Sequence, residues 1–230
     1  MPPTNPSPGD EHPPDVSIRP LVDGDLTFVA GLQARALPHG FFHQLGEGFL
    51  RRYLATYASS DAAVALVAER GDARMGFLVG TLDPSAHRQE VLRGHGRRLA
   101  ASGSLALVRR PRVAAGFLRT RAVRYAAGAA RSLRAQGADT APAAGPASRP
   151  TAVLNHVAVI PEARGLDAGT RLVEEFLGRV RAAGLDAARL VTLAGPDGAA
   201  GFYDRLGWHA AGGYVDGDGV AWTRYEVQTS

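Results

Sequence analysis

Residues 151–177, TAVLNHVAVIPEARGLDAGTRLVEEFL, constrain the fold more than any other part of the chain. The apolar, β-branched run TAVLNHVAVI reads as a buried strand. It stops at Pro161 and enters a turn that holds Gly165 and Gly169. From Ala168 to about Ala183 the pattern becomes Leu172, Phe176, Leu177 and Val180, the spacing of an amphipathic helix. A strand that passes through a glycine-bearing turn into a helix leaves the first helical amides without partners, with the positive end of the helix dipole behind them. Such a turn can cradle a pyrophosphate. It is neither G-x-G-x-x-G nor G-x-x-x-x-G-K-[ST], so dinucleotide and P-loop readings have no support.

The flanking pattern extends this unit. VSIRPL (16–21) alternates like a strand, with Val16, Ile18 and Leu21 inward, and Asp23 or Asp25 can cap a helix running to about Ala36. Phe49, Leu50, Tyr53, Leu54 and Tyr57 mark a second helix. AAVALVAER and ARMGFLVGTLD flank Gly71-Asp72 as a hairpin. After the 151–183 unit come the strand AARLVTLA, a short helix from Gly198 to Leu206 stopped by Gly207, and two strands around Gly217-Asp218-Gly219. The order β-α-α-β-β, insert, β-α-β-α-β-β predicts an α/β fold with a mixed sheet. Residues 1–15, Pro-rich and polar, read as a disordered tail. Residues 16–230 read as one domain with a basic helical insert and loop at about 86–150.

Charge sets the insert apart. All 26 basic residues are Arg, and twelve fall between residues 88 and 134 against one acid, Glu90, so this stretch is +11 while the remainder is −7. From Arg112 to Leu133 the residues Ala114, Leu118, Ala122, Tyr125, Ala129 and Leu133 form one helical stripe among the arginines, a cationic amphipathic helix. His87 to Ala101 reads similarly, interrupted by Gly94 and Gly96. Three roles stay open for the insert: a solvated helical cover over a substrate site, an attractor for an anionic ligand or an acidic partner, or a membrane-surface contact or apolar trough. Nucleic acid is the least supported partner, because Tyr125 is the insert's one aromatic between Arg119 and Arg134 and no binding module accompanies it.

Other classes are excluded by composition. Without cysteine there is no disulfide framework, thiolate zinc site or cysteine nucleophile. The first fourteen residues lack a basic n-region and an apolar h-region, and no run approaches the roughly 18 apolar residues of a membrane span. A cytoplasmic location is expected.

The residues from Arg164 to Gly169 resemble the acyl-coenzyme A signature of the GNAT N-acetyltransferase superfamily, an Arg/Gln-x-x-Gly-x-Gly/Ala turn between strand and helix. Arg164 matches its first position and Gly169 its last, Gly165 fills a site where glycine is common, and Asp167 stands where the middle glycine is usual. AAGFYDRLGW (199–208) resembles that family's distal motif, and IRPLVDGD its opening strand and helix start. The resemblance covers about 16–83 and 151–227. It implies a mostly antiparallel sheet whose central strands splay apart, flanked by helices, with acetyl-coenzyme A as co-substrate and no metal.

The resemblance also implies roles. Main-chain amides of Arg164, Gly165, Leu166, Asp167, Ala168, Gly169 and Thr170 would bind the pyrophosphate. Main-chain groups of Val157, Ala158 and Val159 would pair with the pantetheine arm, and Ala199 and Phe202 would border the cofactor. Tyr203 would be the general acid that protonates the departing thiolate, since a phenol is neutral at pH 7 and able to donate. His156, titrating near neutrality on the strand beside the thioester, is the candidate base for the acceptor amine; Asn155 is its alternate-face neighbour, able to orient the acceptor but not to take a proton if it faces the gap. His39 and His43 are weaker candidates for the acceptor pocket, and Tyr203 and His156 can also be read as ordinary packing residues.

The expected activity is transfer of acetyl from acetyl-coenzyme A to a primary amine of a small-molecule acceptor by direct attack in a ternary complex. A longer acyl donor and a non-catalytic coenzyme A-binding or regulatory module are the alternatives. A monomer and a homodimer are both compatible with the sequence.

Overall fold

The computed structural model describes residues 15–36, 45–96, 99, 101, 151–217 and 219–229. His39, His43, the stripe from Arg112 to Leu133 and nearly all of the expected tail lie outside them. The chain opens with β1 (Ser17–Pro20), a 3-10 turn (Asp23–Asp25), α1 (Leu26–Ala36) and α2 (Glu47–Ala58). Next come β2 (Ala63–Arg70), β3 (Ala73–Thr81) and α3 (Pro84–Glu90), which runs into a π-helical turn, Val91–His95. The second half holds β4 (Ala152–Val159), α4 (Ala168–Ala182), β5 (Ala187–Leu193), α5 (Ala200–Arg205), β6 (His209–Val215) and β7 (Ala221–Gln228).

The seven strands form one sheet in the order β1-β2-β3-β4-β5-β7-β6. Every neighbouring pair is antiparallel except β4 and β5. The parallel pair joins only at Ala152 with Ala188 and Val153 with Arg189. Beyond those residues the two strands part. The mixed sheet with splayed central strands is therefore the observed architecture.

Two apolar layers sandwich the sheet. On one face α4 buries Leu172, Val173, Phe176 and Val180 completely against Leu78, Leu154 and Leu190. Each such side chain contributes roughly 1.5–3 kcal/mol of transfer free energy. The helix ends with Gly184 at φ 69, where the Leu185 amide donates back to the Val180 carbonyl at 3.2 Å, a left-handed stop that glycine adopts without strain. On the other face α1 and α2 cover Val67, Phe77, Val79 and Ala158 with Val29, Leu32, Leu50 and Leu54. Gly80 lets α4 approach: a Cβ there would stand 2.5 Å from the Phe176 ring and 2.9 Å from the Val153 carbonyl.

Local details differ from expectation at two places. Asp25 caps the 3-10 turn before α1 rather than α1 itself, its buried carboxylate accepting from the Val22 amide at 3.0 Å, and it also accepts from Arg19 Nη1 at 2.6 Å, Arg19 Nη2 at 3.0 Å and Arg74 Nε at 2.6 Å. It thus ties β1, the turn before α1 and β3 together. The helical piece expected from His87 begins earlier, because Asp83 accepts from the Ser85 and Ala86 amides at 2.8 and 3.0 Å and Pro84 occupies the first turn. Among the described residues no helix is long and apolar enough to cross a membrane.

Candidate active site

The site is built around the fork between β4 and β5. On its β3 side β4 is paired from Val153 to Val159, with one irregularity. Gly80 is opposite Leu154 and Val79 is opposite His156, so Asn155 is an extra residue, a β-bulge. The bulge breaks the alternation of the strand. Leu154, Val157 and Val159 pack in the α4 layer, Ala158 packs in the α1/α2 layer, and Asn155 and His156 both lie on that second face. The Thr81 hydroxyl donates to Asn155 Oδ1 at 3.4 Å, and the His156 ring lies 5.9 Å from the Tyr53 ring of α2. Strict alternation would have set Asn155 and His156 on opposite faces.

His156 continues into a polar group inside the α2 layer. Its Nε2 is 3.5 Å from the Tyr53 hydroxyl, which is 2.6 Å from the Tyr57 hydroxyl. The Tyr57 ring in turn lies 4.6 Å from the His87 ring. Burial pushes the His156 imidazole down to about 4 and the Tyr53 phenol up to about 12, so at neutral pH both are uncharged. The sequence marks Tyr53 and Tyr57 only as helix core, since periodicity reports burial and not what a hydroxyl meets.

The turn after β4 runs through a 3-10 turn, Pro161–Ala163, into α4. Arg164, Gly165, Leu166 and Asp167 are exposed. The Arg164 and Leu166 amides already donate to the Pro161 and Ala163 carbonyls, at 3.1 and 3.2 Å. The open donors are consequently the Gly165 and Asp167 amides and the first-turn amides of α4, at Ala168, Gly169 and Thr170, which have no acceptor one turn back. Asp167 precedes the helix at φ 56, the one non-glycine residue with positive φ among the described residues, and its side chain caps nothing. Arg171 is committed to the Val16 carbonyl at 2.6 Å and to Asp15 at 3.1 Å, whereas Arg164 is in no ion pair among the described residues. Arg164 is therefore the cation left to balance the Asp167 charge.

Helix α5 spans the two arms of the fork on the α4 side. A Cβ on Gly169 would stand 3.5 Å from Phe202 Cζ and 3.8 Å from Val159 Cγ1, so Phe202 closes against the turn and the end of β4. Tyr203 is buried, with its ring 5.1 Å from Phe202, 5.8 Å from Trp208 and 5.9 Å from Tyr225, whose register partner on β5 is Leu190. Burial raises the Tyr203 phenol well above its usual range and keeps it protonated. The Ala199 amide donates to Thr192 Oγ1 at 3.1 Å, fixing the start of α5 to β5. Tyr203 and His156 thus flank the sheet from opposite faces and do not touch one another.

A parallel strand pair forks beside an open helix N-terminus, with a buried tyrosine at one arm and a histidine at the other. Residues 123–229 match the family model described as acetyltransferase (GNAT) domain. Ard1 from Thermoplasma volcanium has a TM-score of 0.55 at 14% identity, covering 93% of this chain and 97% of its own. The ribosomal-protein-S18-alanine N-acetyltransferase of Escherichia coli has 0.54 at 13%, covering 94% of each chain. Spermidine/spermine N-acetyltransferase SpeG of Vibrio cholerae has 0.51 at 13%, again covering 94% of each. No curated protein matches by sequence. Residues 123–229 are thus similar to the GNAT acetyltransferase domain, and the fold of nearly the whole chain is similar to that of these solved acetyltransferases.

Proposed function

We propose that the protein transfers acetyl from acetyl-coenzyme A to a primary amine of a small-molecule acceptor, by direct attack within a ternary complex. The observation that carries this reading is the fork: β4 has an unpaired edge toward β5 beyond Val153, leading to the open first turn of α4. The free edge at Val157–Val159 offers main-chain partners to an amide-bearing arm, and the first-turn amides offer donors to a pyrophosphate. When bound, the thioester supplies an activated acyl group. Phe202 and Ala199 shield it from water on the α4 side, and Tyr203 holds a proton for the thiolate sulfur. From the opposite face a neutral His156 accepts a proton from the amine, with Asn155 orienting the acceptor. His156 is a weak proton store at about 4, so the proton must leave quickly. The Tyr53 hydroxyl, 3.5 Å from Nε2, holds the imidazole in place on that face.

The test is acetyl-coenzyme A turnover over an amine library, read as free thiol. Turnover with a primary amine, accompanied by a cofactor-induced rise in Tm, supports the reading. Cofactor binding without transfer to any amine favours a non-catalytic coenzyme A module, and a clear preference for long-chain acyl donors replaces acetyl by a longer acyl group.

Asp167 gives a second measurement on the same turn. A side chain at positive φ costs roughly 1 kcal/mol relative to glycine, and its carboxylate faces the phosphates. Asp167→Gly is expected to tighten acetyl-coenzyme A about 3- to 10-fold by calorimetry, with kcat little changed. Weaker binding would mean that Asp167 positions the turn.

A further inference from the structure

On the α1/α2 side, where β4 and β5 begin to part, lies an open recess of about 560 Å³. It is bordered by Asn155 of β4, Arg189 and Val191 of β5, Arg224 and Glu226 of β7, and Tyr214 of β6. Strand alternation accounts for the set. Leu190 and Tyr225 point into the α4 layer, so 189, 191, 224 and 226 project from the other face, the one that carries Asn155 and His156. The recess and the candidate base are therefore on the same side of the fork.

The charges in the recess are placed unusually. Arg189 is the register partner of Glu226, and Val191 is the partner of Arg224, so the two arginines are diagonal neighbours on one face. Opposite charges directly across a ladder commonly pair. Among the described residues Arg189 and Glu226 form no ion pair, and neither does Arg224, although Arg19, Arg74, Arg171 and Arg179 are each held by a carboxylate. Two exposed guanidiniums thus stand beside a polar amide, with one carboxylate to oppose them. A guanidinium presents a planar fork of donors that fits a carboxylate or phosphate, and two of them on neighbouring strands can grip one anion from both sides. The body outside residues 88–134 carries a formal −7, so a local excess of positive charge at the fork is a feature of the site and not of the surface in general.

We propose that Arg189 and Arg224 form an anion-reading subsite of the acceptor pocket, so that the preferred acceptor is a primary amine that also bears a carboxylate or a phosphate. This rests on the acyltransferase reading and narrows its acceptor. The amine lies toward Asn155 and His156, and the anionic group lies over the β5–β7 ladder. A polycationic amine is disfavoured there by both arginines. Glu226 opposes the anion, and its removal strengthens the preference.

The experiment compares matched acceptors under acetyl-coenzyme A: ω-amino acids against their amides, and phosphoethanolamine against ethanolamine, with spermidine as the polycation. The expected result is a kcat/KM at least 10-fold higher for the charged member of one pair, and which pair responds identifies carboxylate or phosphate. In the double variant Arg189→Gln, Arg224→Gln the preference should fall to within about 3-fold through KM, with kcat for the neutral amine and acetyl-coenzyme A binding unchanged. Glu226→Gln should lower KM for the anionic acceptor. Equal rates for charged and neutral members, a preference for spermidine, or a preference that survives in the double variant would each overturn the subsite while leaving the acyltransferase reading intact. Transfer to no amine of any class, with cofactor still bound, would overturn both. Both arginines are exposed, so an unchanged Tm separates lost recognition from lost fold.

Discussion

Asp25→Asn is expected to lower Tm by roughly 6–12 °C at pH 7. The carboxylate is fully buried and balances two guanidiniums, Arg19 with 31% and Arg74 with 40% of the side chain exposed. Removing one partner of a buried ion pair costs about 3–5 kcal/mol, because the remaining charge is left uncompensated. Both arginines reach water in part, which places the cost near 3 kcal/mol, and for a chain of this size each kcal/mol moves Tm by about 2–4 °C. The amide oxygen of the substituted side chain can still accept from the Val22 amide, so lost charge and not a lost cap dominates the effect. A Tm within 2 °C of the parent would show that Arg19 carries its role through Glu69 alone, at 2.7 Å.

The same carboxylate predicts the acid limb. Arg19 and Arg74 hold Asp25 well below its ordinary 3.8, so the folded state resists protonation and the unfolded chain takes the proton first. The stability it adds is complete above about pH 4 and is lost as pH falls below that. His156 acts in a separate window. Its pKa is lowered by burial from 6.5 to about 4, so the unfolded chain binds the extra proton between those values and stability declines as pH drops through them. Urea midpoints measured from pH 7 to 3 should therefore fall in two stages, with Asp25→Asn flattening the lower one and His156→Gln the upper.

Much of this fold is visible in local pattern. The Gly71 hairpin, the α4 stripe of Leu172, Phe176 and Val180, and the glycine-bearing turn each depend on residues within a few positions of one another, and each forms where the pattern places it. The fork follows from the family resemblance, not from periodicity. What the pattern hides is long-range. Asp25 looks like a helix cap because its partner Arg74 is 49 residues away on another strand. The bulge at Asn155 is a property of pairing with β3, and its effect, two polar side chains on one face, contradicts the alternation of a regular strand. Arg189 and Arg224 become neighbours only through the β5–β7 register, so nothing near either one in the chain distinguishes it from any other surface arginine.

Tyr203→Phe is expected to lower kcat by about 10²- to 10⁴-fold, the range supplied by a positioned proton donor, while acetyl-coenzyme A affinity stays within 3-fold. The ring sits among Phe202, Trp208 and Tyr225, all of which a phenylalanine can still meet, so the loss falls on the hydroxyl. Tyr225→Phe removes a hydroxyl from the same buried aromatic group and serves as the control, with kcat unchanged. Proton donation to the leaving sulfur makes a further, sharper demand. An acetyl thioester whose thiol is more acidic than that of coenzyme A needs less help to depart, so an aryl thioester should lose far less in Tyr203→Phe than acetyl-coenzyme A does. A purely structural tyrosine would slow both donors equally. A kcat within 3-fold of the parent would remove Tyr203 from the chemistry and leave it as a packing residue, and the search for the acid would then move to the groups on the Asn155 and His156 face.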